Sequence, residues 1–548
     1  MNILGLSDGP RPSAALVRDG RLVGLRTDSS ATPGLPWRAA ERLLHDAELS
    51  PDAIDHVAVA GKYSPMLALR RYPALQRLRG AAFSPTRDLH AFAQAFLRQS
   101  GLGALESDRA TAWWTDELAA RGYAPRRVQL VHIHRALGAV GYRCQADDDV
   151  LVITLHPMGD GVVASVRRGE AGFVECAWEQ RGNSALHVHL TRCAAVLGLS
   201  LDTAGHELSA LAGRGQADAG VLEELSEWLR AEEGRIVGHR RPLPSFRRDA
   251  VYQALGALSR EDAAATLLAN LRDAICGLVG YHLRLESVTD VVLCGSLIQD
   301  PRLVADVARL GRVRSVNTLP FQGAAALAVG AAASLAGLAP RALPVVGLGP
   351  TIDDASSRAA LVAAELAAVK RRNLAKWVGE RLIKGEAVAR RTERGGLGPC
   401  GLGRGAVLVR ADDRERVEHV RRNLGRSVDE EPLVLFTQLP EGAVEHAERM
   451  APAFQRGVVS VLVAGEFAKA CGGAVSPDGR VRLARVDAAT DPDLHGAIAR
   501  LEAEGAVAAC FPFAAGDSPA VTSAADAVRV FITSRLDALV LGPFGAVG

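Results

Sequence analysis

Lysine is scarce in this sequence of 548 residues. Only five of its 64 basic residues are lysines, and the rest are arginines. A mechanism that needs a titratable amine therefore has few candidates, whereas arginine, which stays charged and can hold a phosphate or carboxylate with two hydrogen bonds, is abundant. The 62 acidic residues nearly balance the basic ones and leave a formal net charge of +2. This balance gives no bulk attraction to nucleic acid or to an anionic membrane, so we expect neither as a partner.

Paired cysteines and long apolar runs are also missing. None of the eight cysteines forms a CxxC pair, which argues against a zinc ribbon and against a disulfide framework. The amino terminus reads as a strand, Asn2–Leu6, and not as a signal peptide. The most apolar window, 324–338, is shorter than the roughly 20 residues that span a bilayer, and it predicts a buried helix. We therefore expect a cytoplasmic protein.

One unit of the sequence occurs twice. Residues 3–25 and 150–174 each read as a strand, a glycine-bearing turn, a strand, a tight hairpin turn and a third strand. Hairpins of this kind recur in many antiparallel sheets. Duplicated units are also how the actin-like ATPase superfold presents backbone N–H groups to nucleotide phosphates, because glycine lets the backbone approach oxygen closely.

The surrounding pattern predicts two α/β domains. Helical periodicity over 262–284 leads into a strand at 287–293, and strands followed by glycine turns and helices are typical of α/β proteins. Three prolines and two glycines within 339–350 predict a linker. The predicted domains are then 1–338 and 351–548, and the second opens with a long helix predicted over 356–391.

Eight blocks of sequence resemble, in order and spacing, the nodulation and antibiotic type of ATP-dependent O-carbamoyltransferases. The blocks cover nearly the whole chain, and the last is especially similar to the ending of that family. They are 5–25, 131–142 with 150–166, 207–215 and 319–332 in the first domain, and 397–409, 420–432, 474–486 and 518–542 in the second.

The resemblance implies a fold and a reaction. The fold is α/β, with a duplicated actin-like (ASKHA) domain that holds ATP and a metal ion, followed by a YrdC-like domain. The YrdC-like domain would make carbamoyl-adenylate from carbamoyl phosphate and ATP, and the carbamoyl group would pass to a hydroxyl of a small molecule. Such chemistry needs a metal to neutralise phosphate charge and donors that hold the phosphate in line.

The metal positions implied by the resemblance are degenerate. Two imidazoles one helical turn apart correspond to Val131 and Arg135, and two aspartates correspond to His156 and Ala324. Valine cannot ligate a metal, and a guanidinium has no lone pair to offer. Since a divalent ion needs about three or four donors, we expect no metal here.

A replacement metal site stays open as an alternative. The pairs His132/His134 and His187/His189 have the HxH spacing that places two imidazoles on one face of a strand. One pair together with His156 would supply three nitrogen donors.

Three arginines of the second domain fall where the resembled family has arginines. Arg394 precedes a glycine-rich turn, Arg426 lies in an RNLGR stretch, and Arg482 follows Asp478-Gly479. Together they would hold a phosphate or carboxylate, so they form our predicted anion site. The alternative is that they are three of many surface arginines.

Three hypotheses about function follow. The first is a catalytically degenerate carbamoyltransferase homologue, a pseudoenzyme in natural-product biosynthesis that binds a protein partner, such as an active carbamoyltransferase or biosynthetic enzyme, or a small anion. It needs no cofactor. The second is an active carbamoyltransferase with a rearranged site, which needs ATP, carbamoyl phosphate and a divalent metal, and the third is an enzyme of the same fold with different chemistry. The first is favoured because losses fall on metal, nucleotide and carbamoyl-phosphate positions alike.

Overall fold

The chain divides into two compact units, Met1–Leu343 and Pro344–Gly548. The computed structural model describes residues 1–9, 11–28, 34–75, 102–145, 149–181, 190, 192–199, 204–238, 250–296, 300–321, 323–336, 347–396, 399–427, 430–516 and 520–548. Most of the predicted linker lies outside these ranges, so the linker stays a prediction.

The amino-terminal unit contains two five-stranded sheets. The first has the order β3-β2-β1-β4-β5 and the second the order β8-β7-β6-β11-β12; a separate hairpin pairs β9 with β10. The strands are β1 Asn2–Ser7, β2 Ser13–Arg18, β3 Arg21–Thr27, β4 His56–Ala60, β5 Arg127–Val131, β6 Val150–Gly159, β7 Val162–Glu170, β8 Phe173–Arg181, β9 Leu229–Glu232, β10 Arg235–Gly238, β11 Asp290–Cys294 and β12 Ser315–Thr318.

The two sheets repeat one topology. In each, the first three strands form an antiparallel meander, a fourth strand pairs in parallel with the first strand of the meander, and a fifth pairs in parallel with the fourth. The two meanders run from Asn2 to Thr27 and from Val150 to Arg181, so they contain the repeated segments 3–25 and 150–174. The amino-terminal unit is therefore a duplicated α/β unit with the actin-like arrangement.

The helices of this unit surround and separate the sheets. Its most apolar long helix, Arg260–Glu286, meets the length and composition needed to cross a bilayer, and 61% of its apolar window is buried inside the protein, as in the core helix of a folded domain. The helices are α1 Trp37–Asp46, α2 Leu67–Arg71, α3 Leu102–Ala119, α4 Ile133–Arg143, α5 Ala204–Ala212, α6 Ala219–Trp228, α7 Ala250–Ala257, α8 Arg260–Glu286, α9 Arg302–Ala308 and α10 Gly323–Ala336.

Helices α4 and α10 are exchanged between the two halves. α4 follows the last strand of the first sheet but packs on β6 and β11 of the second, whereas α10 follows the last strand of the second sheet and packs on β1, β2 and β4 of the first. The two helices also pack against each other. Their contact is close because small residues line it: a Cβ on Gly330 of α10 would lie 2.1 Å from the carbonyl oxygen of Ala136 in α4.

The carboxy-terminal unit is built on one mixed sheet of nine strands in the order β13-β21-β20-β14-β15-β19-β16-β18-β17. The strands are β13 Val369–Lys370, β14 Val388–Arg391, β15 Gly405–Arg410, β16 Leu433–Phe436, β17 Val459–Leu462, β18 Arg480–Arg485, β19 Ala508–Pro512, β20 Ala538–Leu541 and β21 Phe544–Val547. The helices are α11 Asp354–Ala363, α12 Leu374–Ile383, α13 Arg414–Asn423, α14 Ala447–Arg456, α15 Gly465–Ala470, α16 Pro492–Ala503 and α17 Ala524–Thr533.

The long helix predicted over 356–391 is wrong. The segment contains α11 and α12, the short strand β13 between them, and strand β14. Glu365 has a left-handed backbone with φ of 57° just after α11, a conformation that ends a helix. A core of Leu382, Val388, Leu408 and Leu435 then packs α12 and α16 on one face of the sheet. The unit is α/β, and its YrdC-like identity stays a prediction.

Candidate functional site

A buried polar cluster lies where the loop after β4 meets the turn between β6 and β7. The Asp160 carboxylate is completely buried and accepts four backbone hydrogen bonds. Its Oδ1 accepts from Tyr63 N (2.7 Å) and Ser64 N (2.8 Å), and its Oδ2 accepts from Lys62 N (2.9 Å) and Ile133 N (2.8 Å). One side chain of the second sheet thus joins the β4–α2 loop to the start of α4.

Arg70 and Asp8 form a buried ion pair beside Asp160. The Arg70 Nε lies 3.0 Å from the Asp8 Oδ2, and the two side chains are 0% and 1% exposed. Burial raises the pKa of Asp8 and the nearby Asp160 charge adds to this, while Arg70 opposes it. Two carboxylates and one guanidinium therefore share a region from which water is largely excluded, and the charge balance there is negative when both acids are ionised.

A chain of hydrogen bonds runs from His134 into the second sheet. The His134 Nε2 lies 2.8 Å from the carbonyl oxygen of Val162, which can only accept, so Nε2 carries the proton. The Nδ1 then accepts from the Thr154 hydroxyl (2.6 Å), and the Thr154 oxygen accepts from the Ser165 hydroxyl (2.7 Å). Burial, with the neighbouring His156 and His132, lowers the pKa of His134 well below 6.5. The ring is a neutral structural element.

His156 lines a small cavity at the ends of the parallel strands β6, β11 and β12. The cavity holds about 30 Å³, room for about one water molecule. Apart from His156, its polar groups come from Ser296 and Thr318, and leucines form much of the rest of the wall. Ligands of open α/β sheets bind at this end of the strands, but this cavity is far too small for a nucleotide.

The neutral state of His156 predicts a loss of stability in acid. Burial lowers the pKa of His156 from 6.5 to about 4, although Asp160 opposes the shift. Because the pKa is lower in the folded than in the unfolded protein, the contribution of His156 to the free energy of unfolding is fully present above pH ~6.5. It is lost as the pH falls towards 4, and the whole loss is about 3 kcal/mol. Urea titrations at pH 7.5 and 5.5 measure this. Between these two pH values the free energy of unfolding of His156→Gln should fall by about 1 kcal/mol less than that of the parent.

The control for this prediction is His45→Gln. The side chain of His45 is 89% exposed and lies 3.7 Å from an Asp46 carboxylate oxygen, so the variant should lose nearly as much stability as the parent between pH 7.5 and 5.5. His134 contributes in the same direction in all three proteins. Equal pH dependence in the parent and in His156→Gln would show that His156 does not titrate in this way.

The four positions implied as metal ligands do not present a set of donors. Val131 is 1% exposed and packs with Ala136 and Ala331 in an apolar cluster. Arg135 is exposed, Ala324 is partly exposed, and His156 is a neutral imidazole at the cavity. Within the described ranges, no group of three or more His, Cys, Asp or Glu side chains has an arrangement that could hold a metal ion. His187 and His189 lie outside the described residues.

The three arginines of the predicted anion site lie at one edge of the nine-stranded sheet. At this edge β14 and β19 end and β15, β16 and β18 begin. Arg394 follows β14, Arg426 donates to the carbonyl of Pro512 at the end of β19 (3.4 Å), and Arg482 is in β18. With about 4.8 Å between strands, β14 and β18 are about 19 Å apart. The backbone positions of the three arginines are therefore spread along this edge, and the anion site that they would form stays a prediction.

Two of these arginines already have partners in the segment before β16, one a carboxylate and the other a backbone carbonyl. Arg426 Nη1 lies 3.4 Å from a Glu430 carboxylate oxygen, and Arg482 Nη1 donates to the carbonyl oxygen of Glu431 (3.2 Å). Arg426 and Arg482 thus contact consecutive residues, whereas Arg394 is exposed further along the edge. An anion at this edge would have to compete with Glu430 for Arg426.

A fully paired arginine lies on the same sheet and is a structural residue. Arg390 Nη1 and Nη2 donate to the two carboxylate oxygens of Asp491 at 2.8 and 2.7 Å, and Arg404 Nε lies 3.5 Å from the same carboxylate. Asp491 also caps α16 by accepting from Leu494 N. Burial alone would raise the pKa of Asp491, but Arg390 and Arg404 keep it below 3.8.

Comparison with known proteins adds little to the sheet order. No protein-family model matches the chain. Component A of the (R)-2-hydroxyglutaryl-CoA dehydratase from Acidaminococcus fermentans is similar in structure, with 14% sequence identity and a TM-score of 0.31. The match covers 61% of this chain and 96% of that chain. A ROK hexokinase from Thermus thermophilus has 15% identity, covers 61% of this chain and 98% of its own, and has a TM-score of 0.27. These TM-scores are low, so the repeated sheet order carries the fold assignment.

Sequence reasoning missed most of the buried cluster. In the sequence, Asp160 has a local signal only as the middle residue of a Gly-Asp-Gly turn, and no local pattern marks Arg70. Asp8 and Arg70 are 62 positions apart, and no local pattern links them. The one local signal is Asp8 itself, an acidic residue in the first glycine-bearing loop.

Proposed function

We propose that this protein is a non-catalytic member of the ATP-dependent carbamoyltransferase family that it resembles. It acts by binding a protein partner or a small anionic ligand in the biosynthesis of a natural product, and it does not transfer a carbamoyl group. The observation that carries the proposal is the state of the implied metal positions. Val131 belongs to an apolar cluster, Arg135 is a cation, Ala324 has no donor, and only His156 offers a nitrogen.

The charges around the first glycine-bearing loop support the proposal. A nucleotide phosphate near this loop would approach the carboxylates of Asp8 and Asp160, which lie in a region of low dielectric. Like charges repel strongly in such an environment, and the one positive charge of Arg70 balances only one of the two carboxylates. Phosphoryl chemistry depends on a cation that neutralises developing charge, so these residues favour a site that no longer handles ATP.

Turnover assays test the absence of catalysis. We expect no ATP consumption that depends on carbamoyl phosphate, with Mg²⁺, Mn²⁺ or Fe²⁺ supplied in excess. ATP consumption above the rate of a heat-denatured sample, if it required both carbamoyl phosphate and metal, would overturn the proposal in favour of an active carbamoyltransferase with a rearranged site. Consumption without carbamoyl phosphate would favour an enzyme of the same fold with different chemistry.

Calorimetry tests the proposed anion ligand. We expect carbamoyl phosphate or phosphate to bind at millimolar concentration, and Arg482→Ala to bind it at least about tenfold more weakly, because a charge-assisted hydrogen bond contributes roughly 1.5 to 3 kcal/mol. Arg529→Ala is the matched control, since Arg529 is 69% exposed on α17 and pairs only within its helix turn to Asp526. Equal weakening in both variants, or no binding to the parent, would remove the anion from the proposal and leave a protein partner.

A further inference from the structure

We propose that the backbone N–H groups of Lys62, Tyr63, Ser64 and Ile133 form a site for a small oxyanion, and that the chain closes this site with its own Asp160 carboxylate. Asp160 thus blocks the site to other anions, because the carboxylate that fills it is part of the protein. This inference does not depend on the proposed function. It rests on the four hydrogen bonds of 2.7 to 2.9 Å and on the complete burial of Asp160.

The loop that supplies three of the donors is held in place from behind. Gly61 has a left-handed φ of 94°, and a Cβ there would lie 1.9 Å from the carbonyl oxygen of Ser64, so glycine is required. Arg70 Nη2 donates to the Gly61 carbonyl at 2.5 Å. Because a trans peptide is planar, the N–H of Lys62 points the opposite way. Arg70 thus fixes one end of the Gly61–Lys62 peptide, and Asp160 accepts at the other.

Asp160 reaches the loop from a tight turn of the second sheet. Asp160 and Gly161 connect β6 to β7 and have left-handed φ values of 53° and 68°, which aspartate and glycine tolerate best. The carboxylate is therefore presented by a tight two-residue turn to three donors that lie 96 to 98 residues earlier in the chain and a fourth that lies 27 residues earlier. Removing the side chain would leave the turn intact and the donors without their anion.

The surroundings select the charge of an anion that could replace the carboxylate. Four convergent N–H groups, one of them at the start of an α-helix, stabilise a negative charge. The charge of Asp160 raises the pKa of the nearby Asp8, and an ionised Asp8 would repel a dianion in the site about twice as strongly as a monoanion. The site therefore suits a small monoanion such as formate better than a phosphate dianion.

Chemical rescue of Asp160→Gly tests the inference, because glycine keeps the left-handed turn unstrained. We expect this variant to melt several degrees below the parent in chloride and to regain most of that loss in formate at the same ionic strength, with half of the effect at millimolar to tens of millimolar formate. Phosphate should restore less. Asp19→Gly is the matched control, since Asp19 has a left-handed φ of 50° in the β2–β3 turn and its side chain is 76% exposed. The parent and this control should show no gain specific to formate.

A second variant keeps the test decisive. Asp160→Asn retains one carbonyl oxygen in the site, so we expect partial stability and no response to formate. If Asp160→Gly does not fold in chloride, its refolding yield from urea in formate is compared with that in chloride, and a higher yield in formate supports the proposal. Equal melting temperatures or equal yields of Asp160→Gly in the two salts would overturn it. A formate response in Asp160→Asn as large as that in Asp160→Gly would overturn it as well.

Discussion

Replacing Gly330 by alanine is expected to destabilise the amino-terminal unit by about 3 kcal/mol, near the upper end of what overpacking usually costs. A Cβ at this position would lie 2.1 Å from the carbonyl oxygen of Ala136 and 2.6 Å from its carbonyl carbon. These are backbone atoms of a neighbouring helix, so no side-chain rotation relieves the clash. The helices α4 and α10 would have to separate, and each also covers a sheet.

The control for Gly330→Ala is the same substitution in another helix. Gly280 lies inside α8, and the nearest atoms to a Cβ there are side-chain atoms 3.7 and 4.0 Å away. Because alanine is favoured over glycine in helices by up to about 1 kcal/mol, Gly280→Ala should raise stability slightly. Urea unfolding followed by tryptophan fluorescence measures both, since five of the six tryptophans lie in this unit. Equal effects at the two positions would mean that α4 and α10 are not in backbone contact.

Replacing Arg390 by methionine is expected to destabilise the carboxy-terminal unit by about 3 to 5 kcal/mol, the usual cost of leaving a buried charge without its partner. The side chains of Arg390 and Asp491 are only 5% and 9% exposed, and Arg404 at 3.5 Å compensates the carboxylate only in part. In the variant, burial should raise the pKa of Asp491. The difference in stability from the parent should therefore shrink as the pH falls, because protonation removes the unpaired charge.

Two further variants separate the charge from the volume of Arg390. The double variant Arg390→Met/Asp491→Asn has no buried carboxylate left, Arg404 keeps its hydrogen bond to the carbonyl oxygen of Thr490, and asparagine still caps α16, so it should recover most of the lost stability. Arg394→Met removes an exposed arginine just beyond the same strand and should change stability by no more than about 0.5 kcal/mol. A double variant as unstable as Arg390→Met would show that packing around Arg390, and not its charge, stabilises the unit.

The elements that the sequence predicted correctly have one-dimensional signals. The helix expected over 262–284 and the strand after it form α8 and β11, because their apolar spacing matches the burial that each element achieves. The two meanders were also predictable, because their apolar strands are joined by short turns that contain glycine.

Strand β14 shows why other parts could not be predicted. All four of its residues are buried, yet two of them are Arg390 and Arg391. Arginine in a buried strand requires polar partners, and these come from distant positions: Asp491 for Arg390, and the carbonyl of Pro350 for Arg391. Because the sequence does not show these partners, two successive arginines predict an exposed, polar part of a helix. The buried cluster around Asp160 was hidden in the same way, because its donors come from two segments remote in sequence.

The exchange of α4 and α10 has a consequence for how the protein is made. The face of the first sheet that contains Gly5 is covered by α10, and a Cβ on Gly5 would lie 2.1 Å from the carbonyl oxygen of Ala328. That cover is encoded more than 300 residues after β1. While the ribosome is still translating the second half of the unit, the nascent first half carries an apolar surface that α10 has yet to cover. We therefore expect ribosome-bound chains that stop before residue 323 to remain sensitive to protease, and chains that extend past residue 336 and clear the exit tunnel to become resistant.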